Sequence, residues 1–408
     1  MHRRVVITGI GMITPVGNSV QEFWKAICEG RSAIREVSLS EEDGSAHWLV
    51  SEVKHFDRPS MLTLKEEARL DRCSQFALAA SKAALEDASL IHTETVVGAE
   101  ETGVIIGTGI GPIHSLEETY SEYFKNNTIR PLSIPMSMMH NSAATVSIRL
   151  GLRGITNTVS TACSSGATAI SSGFVAVKQG IAKRVIAGGV DAPISLIQLK
   201  HWGALRTLSV ATDDPAKAMK PFSKNRDGFV LGEGATIVIL EEMNEAKSRG
   251  VEAYGEVLGF GCSSDASHIT CPSPSGQVLA LRRALNLAGL EPSQVDYINA
   301  HGTATKINDA VETKAVKSVF DGHSVPISSI KPVTGHMIGA SSAAEFVAAV
   351  LSLTHCTLPP TINYEQPDDE CDLDYITEGA RRVQPEIVIS NSFAFGGHNV
   401  VLVAGRVE

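Results

Sequence analysis

The chain has 408 residues, 43% hydrophobic and 20% charged, a balance that fills a sizeable core and excludes a disordered protein. A formal net charge of −10 excludes the basic stripe that a nucleic-acid binder needs to displace counterions from phosphates. No stretch approaches the ~20 unbroken apolar residues of a membrane-crossing helix, so a cytoplasmic protein with no membrane attachment is the expectation.

The apolar run from Val5 to Gly9 predicts a first strand. Glycines and a proline follow it where a signal-peptide core would continue. Further short apolar runs close on small or aromatic residues at Gly103 to Gly107, Arg184 to Gly189, Thr236 to Leu240, Tyr297 to Gly302 and Ile387 to Phe395. They are interleaved with helical stretches such as Gln75 to Ala88 and Val278 to Ala288, which predicts buried strands in an α/β fold. Arg35 to Ser60 and Ser115 to Ser142 show no clear period and read as cap loops on the first half.

Two segments recur. Gly103 to Gly111 (GVIIGTGIG) matches Tyr297 to Thr305 (YINAHGTAT) as a strand followed by a small-residue turn. Thr161 to Val177 (TACSSGATAISSGFVAV) matches Thr334 to Val350 (TGHMIGASSAAEFVAAV) as a polar turn running into a small-residue helix. A duplication follows, with a division near residue 250 into halves 1–250 and 251–408, because one small core does not serve a chain of this length.

Nucleotide motifs fail. Gly9-x-Gly11 is followed by Thr14 where a third glycine is required, and no suitable acid ends the next strand. The seven cysteines are odd in number, scattered and never in a Cys-x-x-Cys pair, which argues against a disulfide scaffold and a structural zinc site. Most read as small buried hydrophobes.

Cys163 has a different setting, in Ser160-Thr-Ala-Cys-Ser-Ser-Gly-Ala167, after a strand-like stretch and at the first turn of a small-residue helix. Unpaired backbone N–H groups and the positive helix end there favour a thiolate and a lowered pKa. His301 opens the turn His301-Gly-Thr-Ala-Thr305, and His336 closes Lys331-Pro-Val-Thr-Gly-His336. Both stand at element ends, where α/β proteins assemble sites, although either alone could be a structural histidine.

Five motifs now stand in order: the cysteine motif, Arg226-Asp-Gly-Phe-Val-Leu-Gly-Glu-Gly234, Asn299-Ala-His-Gly-Thr-Ala-Thr305, Lys331 to His336, and Asn391-Ser-Phe-Ala-Phe-Gly-Gly397. In order and spacing the chain resembles the elongating β-ketoacyl-[acyl carrier protein] synthases over its whole length. The resemblance implies a thiolase-like fold, a duplicated five-layer αβαβα arrangement of the α/β class.

It also implies an acyltransferase in which Cys163 takes an acyl group from acyl carrier protein, in fatty-acid or polyketide and polyene chain elongation. His301 and His336 then serve decarboxylative Claisen condensation with the malonyl carrier. Lys331 is implied as the active-site lysine that fixes His336. Thr303, Thr305 and Thr270 are implied at the pantetheine arm, Phe229 and Phe395 beside the nucleophile, Gly396 in the gating turn, and Ile110 on the acyl tunnel. Glu312 and Glu345 match residues that support the histidine loops.

The resemblance calls for no cofactor and no metal, and its partners are acyl carrier protein and a second subunit. That subunit is a second copy in a homodimer or a related ketosynthase-like chain in a heterodimer. Departures cluster near the site: Ala340-Ser341-Ser342 stands where the family more often has Ala-Ala-Gly, Ala394 where it has Gly, and His398 where it has Thr. Alternative readings are the ketosynthase subunit of a polyketide or polyene heterodimer, a carrier-protein-binding scaffold, and a thioester hydrolase.

Overall fold

The computed structural model describes residues 3–41, 44–54, 56, 62–92, 95–211 and 213–407. Ten strands form its main sheet: β1 (Val5–Ile13), β2 (Thr102–Gly107), β3 (Thr156–Val159), β4 (Arg184–Asp191), β5 (Gly234–Glu242), β6 (Gly255–Ser264), β7 (Tyr297–Asn299), β8 (Ile327–Ser328), β9 (Ile387–Ala394) and β10 (His398–Gly405). Their order is β3-β2-β4-β5-β1-β6-β10-β9-β7-β8.

The sheet is one plan used twice. Outward from the centre, β1-β5-β4-β2-β3 corresponds to β6-β10-β9-β7-β8, with the same pairing directions at each step. The halves meet at an antiparallel junction in which Val5 faces Val257. The repeats visible in the sequence occupy equivalent places in the two halves.

Five helices complete the layers: α1 (Arg72–Asp87), α2 (Ser165–Lys178), α3 (Pro274–Ala288), α4 (Lys306–Val319) and α5 (Gly339–His355). Every residue of α5 from Gly339 to Leu353 is buried, Glu345 and three serines among them. It packs with α2 between the half-sheets, where Ile7, Phe174, Leu240, Phe346 and Leu402 share one core. The helices touch closely at Gly166, where an added Cβ would stand 2.6 Å from the carbonyl oxygen of Gly339. Helix α1 covers the outer face of the first half through Phe76 and Leu85, and α3 and α4 cover the second through Leu281 and Val316. The layers therefore alternate αβαβα.

Two sequence expectations need correction. Arg35–Glu41 and Gly44–Ser51 are not loops but an antiparallel hairpin, extended by a parallel pairing of Val50 with Leu231. Residues 42, 43, 55 and 57–60 of that expected loop lie outside the described residues. In the second stretch, Ile113–Asn126 and Ser133–Ser137 are helical. The longer of these buries only Ser115 and leaves Tyr120, Tyr123 and Phe124 exposed, although Ile113, Leu116, Tyr120, Tyr123 and Phe124 recur at helical spacing that the sequence reading passed over. Among the described residues no helix is long and apolar enough to cross a membrane.

Candidate active site

The duplication brings two equivalent turns face to face. Cys163 lies in the 3₁₀ turn Ala162–Ser164 between β3 and α2, and His336 lies between β8 and α5. Both turns carry backbone that side-chain-bearing residues rarely adopt: φ is 51° at Ala162 and 51° at Ile338. His301 enters just past the end of β7.

The sulfur of Cys163 and one ring nitrogen from each histidine lie within 4.8 Å of one another. The two imidazoles meet edge to face, with centroids 5.7 Å apart at 85°. All three side chains are buried, yet all three line a cavity of about 390 Å³. Thr303, Thr305, Thr270, Phe229 and Phe395 also line it. The hydroxyls of Thr303 and Thr305 are 2.9 Å apart.

Ile110 and Gly396 do not line this cavity. The Ile110 N–H donates to Asp191 (3.0 Å), and its side chain packs against the cluster of Leu199, Phe229 and Ile338. Gly396 shapes the turn: its φ is 78°, its N–H donates to the Ile269 carbonyl at 2.7 Å, and Gly397 reaches the cavity.

Lys331 requires a correction. Its ammonium donates to the carboxylate of Glu345 and to the carbonyl of His301, and lies 3.3 Å from His301 Nδ1. It therefore positions His301 rather than His336. Proximity in sequence misled here, because the turn at Gly335 (φ 68°) carries His336 away from the short Lys331–Thr334 helix. His336 Nδ1 instead accepts from Ile338 N–H (3.1 Å) and lies 3.1 Å from Ser341 Oγ.

These partners set the tautomers. A donor stands at Nδ1 of each ring, which leaves the proton of each neutral imidazole on Nε2. Burial holds both histidines well below the usual imidazole range, and the Lys331 charge pushes the same way. The site thus presents two neutral N–H donors.

The nucleophile also departs from expectation. Burial pushes the Cys163 thiol up to about 12, and the Lys331 ammonium offsets only part of that rise. Desolvation therefore works against the thiolate that the sequence setting favours.

The chain matches the models of the β-ketoacyl synthase N-terminal domain over residues 2–246 and of the C-terminal domain over 254–365. The chain belongs to the β-ketoacyl synthase family. A 3-oxoacyl-[acyl-carrier-protein] synthase 2 of Synechocystis sp. is 43% identical, covering 100% of this chain and 99% of that protein. The Coxiella burnetii protein of the same name is 40% identical, with 99% of each chain covered. Among solved structures, a β-ketoacyl synthase from Burkholderia phymatum superposes with a TM-score of 0.91 at 33% identity, covering 100% of both chains. A type II polyketide ketosynthase in complex with its acyl carrier protein (AntDE:AntF) gives 0.91 at 31% identity, again over 100% of both.

The family motifs acquire physical reasons in this fold. Arg226 is buried, and its guanidinium donates to the carbonyls of Thr305 (3.3 Å) and Lys306 (3.0 Å), holding the turn that carries Thr303 and Thr305. Further along the same motif, Val230 accepts the His336 N–H at 2.8 Å. The Glu312 carboxylate accepts the N–H groups of His301 and Gly302, both at 2.9 Å. Burial raises it to about 7 despite those bonds.

Two residues escaped the sequence reading. Asp191 ends β4 buried and accepts from Thr108 Oγ1 and from the N–H groups of Gly109, Ile110, Gly111 and Gly339. It ties the turn after β2 to the first turn of α5, and an acid closing the apolar run 184–191 was its only signal. Trp202 stacks on Phe395 (6.0 Å, 25°) and meets Phe229 edge-on (5.5 Å, 77°) in the cavity wall. No sequence pattern marks it.

Proposed function

We propose that this protein is a 3-oxoacyl-[acyl carrier protein] synthase that extends an acyl chain by two carbons. The observation that carries this reading is the convergence of Cys163, His301 and His336 within 4.8 Å at the wall of a cavity of about 390 Å³.

In the first half-reaction the sulfur of Cys163 attacks the thioester carbonyl of an acyl carrier. The new C–S bond replaces the pantetheine C–S bond, and the thiol proton leaves with the pantetheine thiol. The backbone N–H groups of Cys163 and Phe395 would receive the oxyanion, which suits a turn able to bring backbone close to substrate.

In the second, a malonyl thioester loses carbon dioxide, and the electrons of the broken C–C bond collect as an enolate. The Nε2–H groups of His301 and His336 would donate to its oxygen. The carbanion carbon attacks the acyl carbonyl, and Cys163 departs, taking up a proton. Carbon dioxide supplies the driving force, so the chemistry calls on no redox cofactor and no metal. Thr303, Thr305 and Thr270 would bind the pantetheine arm.

Acyl carrier protein is the partner implied by that arm, and a second copy of the chain is the other partner we propose. Edge strand β3 exposes Thr156 and Asn157, and Tyr120, Phe124, Ile129 and Ile134 are exposed in the adjoining cap. Such an edge and such apolar residues are ordinarily covered. Other structural neighbours are the ishigamide ketosynthase/chain length factor and the ApeO–ApeC pair, which keeps a related, nonidentical subunit as the second reading. Native mass spectrometry of the purified chain distinguishes them: a homodimer supports the first, a monomer the second.

The enzymatic test is intact-mass analysis after incubation with a panel of acyl carriers, with Cys163→Ala as control, followed by malonyl carrier. A Cys163-dependent mass gain that discharges as an elongated β-ketoacyl carrier is the expected outcome. Free acid would favour hydrolysis, and no gain from any donor would favour a scaffold.

A further inference from the structure

Ser341 occupies the first turn of α5 and is 1% exposed. Its hydroxyl oxygen accepts the N–H of Met337 at 2.8 Å and lies 3.1 Å from Nδ1 of His336. Which atom donates in the second contact is decided by a third group. The N–H of Ile338 already points into His336 Nδ1 at 3.1 Å, so that nitrogen is an acceptor and carries no proton. The Ser341 hydroxyl, with its oxygen occupied by Met337, must then supply its own hydrogen to Nδ1.

We infer that Ser341 is a positioning residue for the condensation step, whose hydroxyl locks His336 in the Nε2–H tautomer that faces substrate. The inference rests on the synthase reading for its catalytic consequence, but the hydrogen bond itself does not. Two donors on one ring nitrogen oppose any rotation or proton shift that would place hydrogen on Nδ1. Ile338 holds its share of this arrangement in a backbone conformation rare for a β-branched residue (φ 51°). The serine adds a second hold on the same atom without further backbone strain. It also acts on one histidine only, since His301 takes its Nδ1 contact from Lys331.

The next residue has a different task. Ser342 Oγ accepts the N–H of Ala167 at 3.0 Å, linking α5 to the helix behind Cys163. Adjacent serines thus serve the histidine and the nucleophile helix separately.

The test uses the full-length protein labelled with ¹⁵N-histidine, with Ser341→Ala, Ser341→Thr and Ser352→Ala compared at pH 7. Ser352 is a buried serine of the same helix whose hydroxyl bonds only within that helix, to the Ala348 carbonyl. In the wild type, His336 is expected to show an unprotonated Nδ1 and a protonated Nε2. Ser341→Ala should move its ring-nitrogen shifts toward a tautomer mixture and lower kcat for condensation roughly fivefold, the effect of one neutral hydrogen bond, while the rate of Cys163 acylation holds. Ser341→Thr keeps the hydroxyl and should restore both readouts, and Ser352→Ala should move neither.

Unchanged His336 shifts in Ser341→Ala would overturn the inference, as would equal losses in acylation and condensation accompanied by a lower Tm, which would mark a helix-capping role. If the wild type made no condensation product, the synthase reading would fail while the nitrogen shifts still judged the hydrogen bond.

Discussion

The Lys331 ammonium stands 3.3 Å from Nδ1 of His301, a residue thirty positions away, while His336, five positions away, is held by Ser341 and Ile338. Each of the two imidazoles therefore has its own support, one ionic and one neutral. Both supports act on Nδ1, and both free Nε2 to donate.

Lys331 and Glu345 form a buried ion pair, with side chains 0% and 1% exposed. Lys331→Met removes the charge that balances Glu345, and such a change costs on the order of 3–5 kcal/mol in a buried site. Lys331→Met combined with Glu345→Leu should recover most of that stability in chemical denaturation, since a well-packed apolar pair replaces the ions. The double variant should still condense slowly, because His301 Nδ1 has lost its donor. Recovery of both stability and rate would mean that the lysine acts only in packing.

Burial sets the reactivity of Cys163. With a thiol pushed up to about 12, the thiolate fraction rises about tenfold per pH unit throughout the neutral range. Iodoacetamide labelling of Cys163, followed by peptide mass spectrometry, should accelerate from pH 7 to 9 with no plateau. The exposed Cys271 should be labelled first at neutral pH. A plateau below pH 9 for Cys163 would show that the helix end outweighs desolvation after all.

Both histidines have folded-state values well below 6.5, with burial the largest cause. The unfolded chain regains the ordinary value, so as pH falls the unfolded state binds protons that the folded state refuses. Stability from these groups is fully present above about pH 6.5 and is lost as pH falls toward the folded values, by about 1.4 kcal/mol per unit for each histidine at most. Denaturation midpoints measured from pH 8 to 5 should therefore decline, and the decline should be shallower in His301→Asn with His336→Asn. Parallel curves would assign the acid loss to other groups.

Much of the site was legible before the fold was known. Cys163, His301 and His336 each sit where a strand-like run yields to a turn and small residues, and the repeat relating Thr161–Val177 to Thr334–Val350 already put two of them in equivalent places. Glycine and alanine patterns are read easily because close helix packing tolerates little else, as Gly166 against Gly339 shows. The cap was passed over although Ile113, Leu116, Tyr120, Tyr123 and Phe124 recur at helical spacing; the stripe they form is exposed in this fold and packs on no core.

The α/β class and the family were readable from the chain alone, because both depend on local pattern or on residue types spaced along one chain, and the same pattern singled out Cys163, His301 and His336. Tertiary structure alone decided which partner holds each histidine, the protonation of Cys163, the bracing by Asp191 and the place of Trp202 and Ser341. Those properties arise where residues from separate elements, near or far along the chain, meet in a buried interior. Desolvation and hydrogen-bond direction depend on that enclosure, and spacing along the chain does not encode it.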